Sequence, residues 1–188
     1  MTPTTLARIA LAVVALPLAT PAPAAEKAAN PVYQSWERFS QGTSIVHKPI
    51  YDTSMNKYEV TMTYTLVERT RDKVVVEMQV TTRVNGVETR NRPMKMDNPR
   101  AIPLPPGAKA PPAGKIEGMT DQGEEIVKIA GREVKAKWYK ARNKVEGNDN
   151  FTRSWSSDEV PGGLVKSVTT TPGNKSSMLM ELVEIKAP

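Results

Sequence analysis

The residue types that most often carry catalysis are scarce in this chain. It has one histidine, His47, and no cysteine. A serine or cysteine triad would need that imidazole as its base, and no G-x-S-x-G elbow accompanies any serine. Zinc, copper and haem sites usually draw on several His or Cys ligands. The sequence therefore predicts no catalytic residue and no metal site, and we expect His47 to be a polar surface residue on an edge strand.

Carboxylates offer a second kind of chemistry, because a pair of them can hydrolyse a glycosidic bond. Glu59, Glu77 and Glu181 fall on predicted strands. Any sheet supplies such residues, so we interpret them as structural. Residues 147–150 (GNDN) hold one carboxylate, too few oxygen ligands for a calcium loop, and predict a turn. Neither a G-x-G-x-x-G fingerprint nor a P-loop is present, and we assign no cofactor.

Positive charge is densest in residues 128–144, within a chain of 26 basic and 20 acidic residues and net charge +6. Two interpretations stay open for this stretch: a solvated strand face, or a surface for an anionic partner such as lipid headgroups or an acidic polymer. Nucleic-acid binding would use clustered basic residues with interleaved aromatics, of which residues 135–142 are a faint version, but the secretory leader described below argues against it. We therefore predict no nucleic-acid partner.

Residues 1–25 have the features of a secretory signal peptide. Arg8 supplies the positive charge, residues 9–18 form an apolar stretch, and residues 22–24 (APA) form an A-x-A cleavage site. The apolar stretch is too short to span a bilayer, which takes about 20 residues. We expect an exported protein, periplasmic or extracellular, whose mature chain has no transmembrane segment. Because cysteine is absent, no disulfide and no lipidated cysteine is expected.

Two segments, residues 58–69 and residues 73–84, alternate between apolar and polar residues over most of their length. Period-two alternation predicts half-buried antiparallel strands. A three-residue loop at 70–72 would pair Arg69 with Lys73, and would set these further residues opposite each other: Leu66 and Val76, Tyr64 and Met78, Met62 and Val80, Glu59 and Arg83. The following Asn85-Gly86 predicts a type I′ turn that sets Arg83 opposite Glu88. We interpret the resulting charge ladder as structural.

The remaining segments predict further short strands. Residues 25–31 are expected to be a linker, residues 32–40 a short helix or an edge strand, and residues 43–51 a strand that Pro49 places at an edge or an end. Residues 99–114 hold six prolines and two glycines, which predicts a long connection without a core strand. Beyond it, strands are predicted at 124–129, 132–142, 151–156, 164–171 and 178–186, with an Ala130-Gly131 turn.

This pattern indicates an all-β fold after the leader. We expect one domain at residues 26–188, built as a single curved, mostly antiparallel sheet, a half-barrel or a sandwich. It would contain roughly nine strands and at most one short N-terminal helix. The proline-rich connection at 99–114 would lie within that domain.

One face of the predicted sheet is markedly apolar. Four methionines fall on faces that look inward: Met62, Met78, Met178 and Met180. Such a face must close on itself, pack on a second sheet or hold a ligand, and both a packed core and an apolar cavity stay open. The residues predicted to line a ligand site are Tyr58, Met62, Tyr64, Met78, Trp138 and Trp155.

Residues 155–166 (WSSDEVPGGLVK), preceded by residues 131–134 (GREV), resemble a pattern in small exported bacterial proteins of unknown function. In these, a strand ending in W-x-S runs into a V-P-G-G-[LV]-V-K turn and strand. Their layout is similar to the LolA/LolB-like lipoprotein carriers. The resemblance covers mainly residues 124–186 and implies a strongly curved sheet with an apolar concave face. The helices that plug the carriers' cavity are not evident here, apart from residues 32–40.

Together these features predict a non-enzymatic exported protein. Its expected ligand is a lipid-like or other apolar or amphipathic component of the envelope, bound on the concave sheet face. The alternative is a structural or protein-interaction module of the envelope, with a protein partner and no small-molecule ligand.

Overall fold

The computed structural model of the protein describes residues 26–52, 57–105, 107–108, 116–145, 147–174 and 176–188. The predicted signal peptide lies outside the described residues, as do residues 106 and 109–115 of the proline-rich connection. One helix, α1 (Pro31–Trp36), and a 3₁₀ turn (Pro172–Asn174) accompany twelve strands in the described chain. The strands are β1 (Lys27–Ala29), β2 (Ser44–Asp52), β3 (Lys57–Arg69), β4 (Lys73–Val84), β5 (Val87–Arg90), β6 (Met94–Pro99), β7 (Ala101–Pro103), β8 (Met119–Ile129), β9 (Arg132–Val145), β10 (Asn148–Ser156), β11 (Leu164–Thr171) and β12 (Ser176–Lys186).

Ten of these strands form one antiparallel sheet, which confirms the predicted all-β class. Its order is β5-β4-β3-β2-β12-β11-β10-β9-β8, and β6 pairs with the other half of β4 beside β5. The described strands leave the sheet open, with β8 at one edge and β5 and β6 at the other. The sequence predicted roughly nine strands. The additional ones are short, including β1 and β7, which pair with each other as a separate two-stranded sheet.

The register predicted for the first hairpin is confirmed over most of its length. Leu66 lies opposite Val76. The other three predicted pairs also form: Tyr64 with Met78, Met62 with Val80, and Glu59 with Arg83. A bulge between Leu66 and Glu68 then shifts the ladder, so that Arg69 pairs with Val74 and not with Lys73. A bulge adds one unpaired residue to one strand, which the period-two pattern alone does not reveal.

Both two-residue turns form where the sequence predicted them. Asn85 and Gly86 have φ of 52° and 82°, and Ala130 and Gly131 have φ of 49° and 77°. Paired positive φ values are the signature of type I′ hairpin turns. The first turn places Arg83 opposite Glu88, with their side chains 3.1 Å apart.

Strand β1 and the first residue of α1 lie where the sequence predicted a linker. Asn30 caps the helix: the Asn30 side-chain oxygen accepts from the Val32 N–H at 3.0 Å, and Pro31 occupies the first turn. The Asn30 side-chain amide also donates to the carbonyl of Pro99 at 2.8 Å, which ties the helix start to β6. Strand β1 and the start of α1 therefore lie at residues 27–31, and the linker prediction was wrong for these residues.

Two further local predictions were wrong. Pro49 lies inside β2, a central strand, and not at an edge or an end. It pairs with Met180 of β12, whereas the pairing of β2 with β3 skips Lys48 and Pro49. Since proline has no N–H to donate, β2 tolerates it by leaving this part of one ladder unpaired. The predicted turn at 147–150 is shorter than expected, because β10 already begins at Asn148.

The hydrophobic core lies where α1 and the turn after β10 meet the sheet. Its buried members include Tyr33, Trp36, Ile45, Leu66, Val74, Val76, Ile129, Val134, Ala136, Trp155, Val160, Val165 and Leu182. No helix among the described residues is long and apolar enough to cross a bilayer.

Candidate functional site

The two faces of the sheet differ in character, and the register assigns residues to each. His47 lies opposite Leu182 in β12 and Met62 in β3, so these three share one face, here called the histidine face. Met180 lies two residues before Leu182 and so shares its face. Cross-strand pairs continue from Met180 to Ser167, to Ser154 and then to Tyr139, so Tyr139 lies on the histidine face as well. Trp155 follows Ser154 and Trp138 precedes Tyr139, so both tryptophans lie on the opposite face of the sheet, here called the tryptophan face.

A pocket of about 300 Å³ lies on the histidine face beside α1. We call it the helix pocket. Helix α1, the 160–163 turn and six strands of the sheet (β2, β3, β4, β6, β11 and β12) contribute its walls. Its lining residues are Val32, Trp36, Ile45, His47, Tyr64, Val76, Met96, Asn98, Gly162, Leu164 and Met180. None of them is an acid, a lysine or an arginine, so the pocket is predominantly apolar and holds a few uncharged polar groups.

The turn at 160–163 contacts α1 and holds it against the sheet. Val160 and Pro161 are buried, and the Gly162 N–H donates to the carbonyl of Ser35 at 3.1 Å. Gly162 has φ of +73°, and a Cβ at that position would lie 3.2 Å from the indole nitrogen of Trp36. Glycine is required there both by the backbone conformation and by the closeness of the helix. The V-P-G-G pattern found in the sequence is thus the contact that forms one wall of the helix pocket.

His47 is the most unusual residue of the pocket. Its side chain is only 3% exposed, and its Nε2 lies 2.9 Å from the carbonyl oxygen of Leu164. Because a carbonyl only accepts, Nε2 carries the hydrogen and Nδ1 of the neutral ring is an acceptor. That Nδ1 is buried without a hydrogen-bond partner among the described residues. The prediction that His47 is a surface residue on an edge strand was wrong.

The ionisable groups of the pocket are held in their uncharged forms. Burial lowers the pKa of His47, and the hydrogen bond to Leu164 opposes this only in part. Burial also raises the pKa of Tyr64, and the charge of a nearby Tyr51 phenolate would raise it further. The Tyr64 ring packs edge-on against His47, with ring centroids 5.9 Å apart. The pocket therefore presents no formal charge at neutral pH.

Four of the six predicted site residues lie together on the histidine face. Tyr64 lines the helix pocket, and its hydroxyl lies 3.5 Å from the sulfur of Met62. Met78 lies opposite Tyr64, and Tyr58 stacks on Tyr51 with centroids 5.1 Å apart. We call Tyr51, Tyr58, Met62 and Met78 the methionine–tyrosine strip. All four are partly exposed, so the apolar surface continues along the sheet beyond the pocket.

The other two predicted residues, Trp138 and Trp155, lie on the tryptophan face and not at the helix pocket. The two rings flank Arg153, whose guanidinium carbon is 4.5 Å from each ring centroid. The Trp155 indole N–H and the Arg153 guanidinium both reach the carboxylate of Glu125. The Arg153 guanidinium is paired with Glu125 and packed between two rings, although its Nε is buried without a hydrogen-bond partner among the described residues.

The carboxylates considered for glycosidase chemistry lie among cations. Glu181 forms an ion pair with Lys166 at 3.5 Å, and Glu59 lies opposite Arg83. Within the part of the chain that the structure describes, no three His, Cys, Asp or Glu side chains converge on a metal position.

Sequence reasoning missed several lining residues, including His47, Trp36, Met96 and Leu164. The available signals were indirect. Trp36 stood on the predicted short helix, and the V-P-G-G turn implied a tight reversal that some neighbour had to contact. No local pattern indicates that helix and turn meet over β2.

Comparisons with solved structures give alignments at low sequence identity. No family model and no curated protein matches the chain. An exported protein with a YmcC-like fold from Bacteroides fragilis NCTC 9343 aligns at 10% identity and TM-score 0.46, over 79% of this chain and 97% of its own. A lipoprotein from Parabacteroides distasonis ATCC 8503 aligns at 14% identity and TM-score 0.48, over 81% of this chain and 98% of its own.

Proposed function

We propose that the protein is an exported, non-enzymatic binding protein that holds an uncharged amphipathic ligand in the helix pocket. The leader supports export. The observation that carries the binding proposal is an apolar pocket of about 300 Å³ that contains a neutral, buried His47, whose Nδ1 has no hydrogen-bond partner within the described part of the chain. Pockets for small molecules span about 300–1,000 Å³ and combine apolar walls with a few placed polar groups.

The lining defines the chemistry of the ligand. A charged headgroup inside the pocket would lose its hydration without gaining a counter-ion, which is unfavourable. A hydroxyl or amide group could instead donate to Nδ1 of His47, which no described residue contacts by a hydrogen bond. The volume lies at the lower end of the range for small-molecule pockets, so it suits one apolar chain and not a whole two-chain lipid. The methionine–tyrosine strip offers the rest of such a chain an adaptable surface.

Native mass spectrometry of the mature protein, purified gently from its export compartment, tests the proposal directly. We expect a bound mass of lipid size that is lost on organic extraction. The extracted protein should then bind 1-decanol more tightly than decane in calorimetric titrations. The hydrogen bond to Nδ1 accounts for a preference of about 2- to 13-fold, corresponding to about 0.5–1.5 kcal/mol. An apo protein that binds neither probe would contradict the proposal.

A matched pair of variants localises the binding. Val32 is 44% exposed and lines the pocket, whereas Val84 is 46% exposed and lies at the end of β4, away from it. Val32→Trp places an indole at the pocket wall and should weaken decanol binding by at least about tenfold. Val84→Trp should leave binding unchanged. Equal loss in both variants, or no loss in either, would exclude the helix pocket as the binding site.

A further inference from the structure

Strand β8 is a long edge strand with no described neighbour on its outer side. It has eleven residues, Met119–Ile129, and pairs only with β9. The opposite edge of the sheet is divided between β5, with four residues, and β6, with six. Short edge strands are a common protection against pairing with other chains, and β8 lacks that protection.

The backbone groups that point outward from β8 follow from its hairpin. The two-residue Ala130-Gly131 turn makes Ile129 and Arg132 a hydrogen-bonded pair, and in antiparallel strands such pairs alternate with pairs whose N–H and C=O point away. The even-numbered residues of β8 therefore direct these groups outward. The hydrogen bond of Gln122 is consistent with this assignment, since its N–H donates to the side chain of Asp121 at 3.0 Å.

The same even-numbered residues carry a distinctive side-chain pattern. Ile126 is 71% exposed, the highest value among the large apolar residues of the described chain. Glu124 and Lys128 lie two residues before and after it, on the same sheet face. An exposed isoleucine is thus centred between one negative and one positive side chain.

We propose that a second copy of this chain pairs with β8, antiparallel, about a two-fold axis through Ile126. Isologous pairing then places Ile126 against Ile126 of the second copy. It also sets each Glu124 opposite the Lys128 of the other copy, which gives two opposite-charge pairs. The outward N–H and C=O groups of Ile126 and its even-numbered neighbours complete the ladder between the copies.

Neighbouring registers are less favourable. A two-fold axis perpendicular to the sheet keeps even residues opposite even residues, so the alternatives are centred on adjacent positions. Centring on Glu124 or on Glu125 places identical carboxylates opposite each other. Centring on Gly123 sets Asp121 against Glu125, and centring on residue 127 loses the Glu124–Lys128 pairs. Like charges directly opposite each other destabilise a sheet, which favours the register at Ile126.

The test is the oligomeric state of the mature protein, measured by analytical ultracentrifugation across a concentration series. We expect a reversible dimer. Ile126→Lys should raise the dimer dissociation constant at least about tenfold, because two ammonium groups would face each other at the centre. Val87→Lys is the matched control: Val87 is 69% exposed on the other edge strand, so the variant has the same added charge and should still dimerise.

A second substitution tests the register. Lys128→Glu would place a carboxylate opposite Glu124 twice and should weaken the dimer. Because Lys128 also lies opposite Glu133 of β9, the same substitution should slightly lower the thermal unfolding midpoint of the monomer. Three outcomes would overturn the proposal: a parent protein that stays monomeric throughout, an Ile126→Lys variant that dimerises as the parent does, or a Val87→Lys variant that dissociates as readily as Ile126→Lys. A Lys128→Glu variant that dimerises normally would overturn the register.

Discussion

At the scale of single residues, His47 is the side chain whose environment most needs a partner. Leaving a buried acceptor unpaired costs about 1–3 kcal/mol. Nδ1 of His47 is such an acceptor among the described residues. A ligand that donates to it recovers part of this cost. Under the proposed function, the unpaired Nδ1 would therefore both lower the stability of the protein without ligand and favour binding.

His47 also gives stability a pH dependence. Its pKa is lowered in the folded state by burial, so the unfolded chain takes up the proton more readily. Its contribution is fully present above the unfolded pKa of about 6.5, and is lost as pH falls through that value towards the lowered folded pKa. We expect urea unfolding to show a lower free energy of unfolding at pH 5.5 than at pH 7.5. His47→Gln should flatten that difference.

The comparison of pH 5.5 with pH 7.5 is chosen to report on the protonation of His47. His47 is the chain's one histidine. The carboxyl groups of Asp121, Glu124 and Asp149 have pKa values lowered by hydrogen bonds to Lys140, Lys135 and Arg142, so they titrate in a more acidic range. An unchanged pH dependence in His47→Gln would show that burial of this imidazole is not the cause.

Gly162 permits a prediction with an internal control. Gly162 and Gly86 both have positive φ, +73° and +82°, so alanine is strained at either position by about 1–2 kcal/mol. Only at Gly162 would the new Cβ press on the buried Trp36; Gly86 has nothing within 4 Å. Gly162→Ala should therefore lower the free energy of unfolding more than Gly86→Ala, and should change the tryptophan fluorescence. Equal effects would mean that α1 moves away freely.

At the scale of elements, the position of α1 depends on its N-cap. A six-residue helix has little stability of its own, so its cap and its packing hold it in place. Asn30 is 6% exposed and serves two elements, capping α1 and donating to Pro99. The helix pocket therefore depends on a residue that does not line it.

Replacing Asn30 separates its two roles. Asn30→Ala removes both hydrogen bonds and should cost about 1–3 kcal/mol in urea unfolding, with weaker decanol binding. Asn30→Ser keeps a capping oxygen and loses only the bond to Pro99, so it should fall between the parent protein and the alanine variant. A serine variant as unstable as alanine would show that the cap contributes little.

The hairpins were predictable from sequence because their determinants are local. Alternation assigned the faces of β3 and β4, and Asn85-Gly86 fixed the next turn. Partners far apart in sequence were not predictable. The pairing of β2 with β12, and the docking of the 160–163 turn on α1, bring together residues more than a hundred positions apart. The helix pocket arises at these contacts, which explains why no local pattern indicated that His47 is buried in it.

At the scale of the whole molecule, the sheet order predicts a gradient of local stability. Strands β2 and β12 have a neighbour on each side, whereas β5 is a four-residue edge strand. We expect amide hydrogen exchange to be slowest in β2 and β12 and fastest in β5, since exchange follows local opening. Exchange in β5 as slow as in β2 would contradict this arrangement.

The place of β12 in the sheet also constrains how the molecule is made. Among the described strands, the sheet consists of two runs of sequential hairpins, β2 to β5 and β8 to β12, with β6 paired to β4 beside β5. The two runs join where β12 pairs with β2. Strand β12, the last described strand in chain order, therefore connects the two halves of the sheet. A chain emerging from a ribosome or a translocase cannot complete the sheet until residues 176–186 are available. Until then β2 and β11 each lack a neighbour, so an interrupted chain exposes two open edges for proteases or chaperones to recognise.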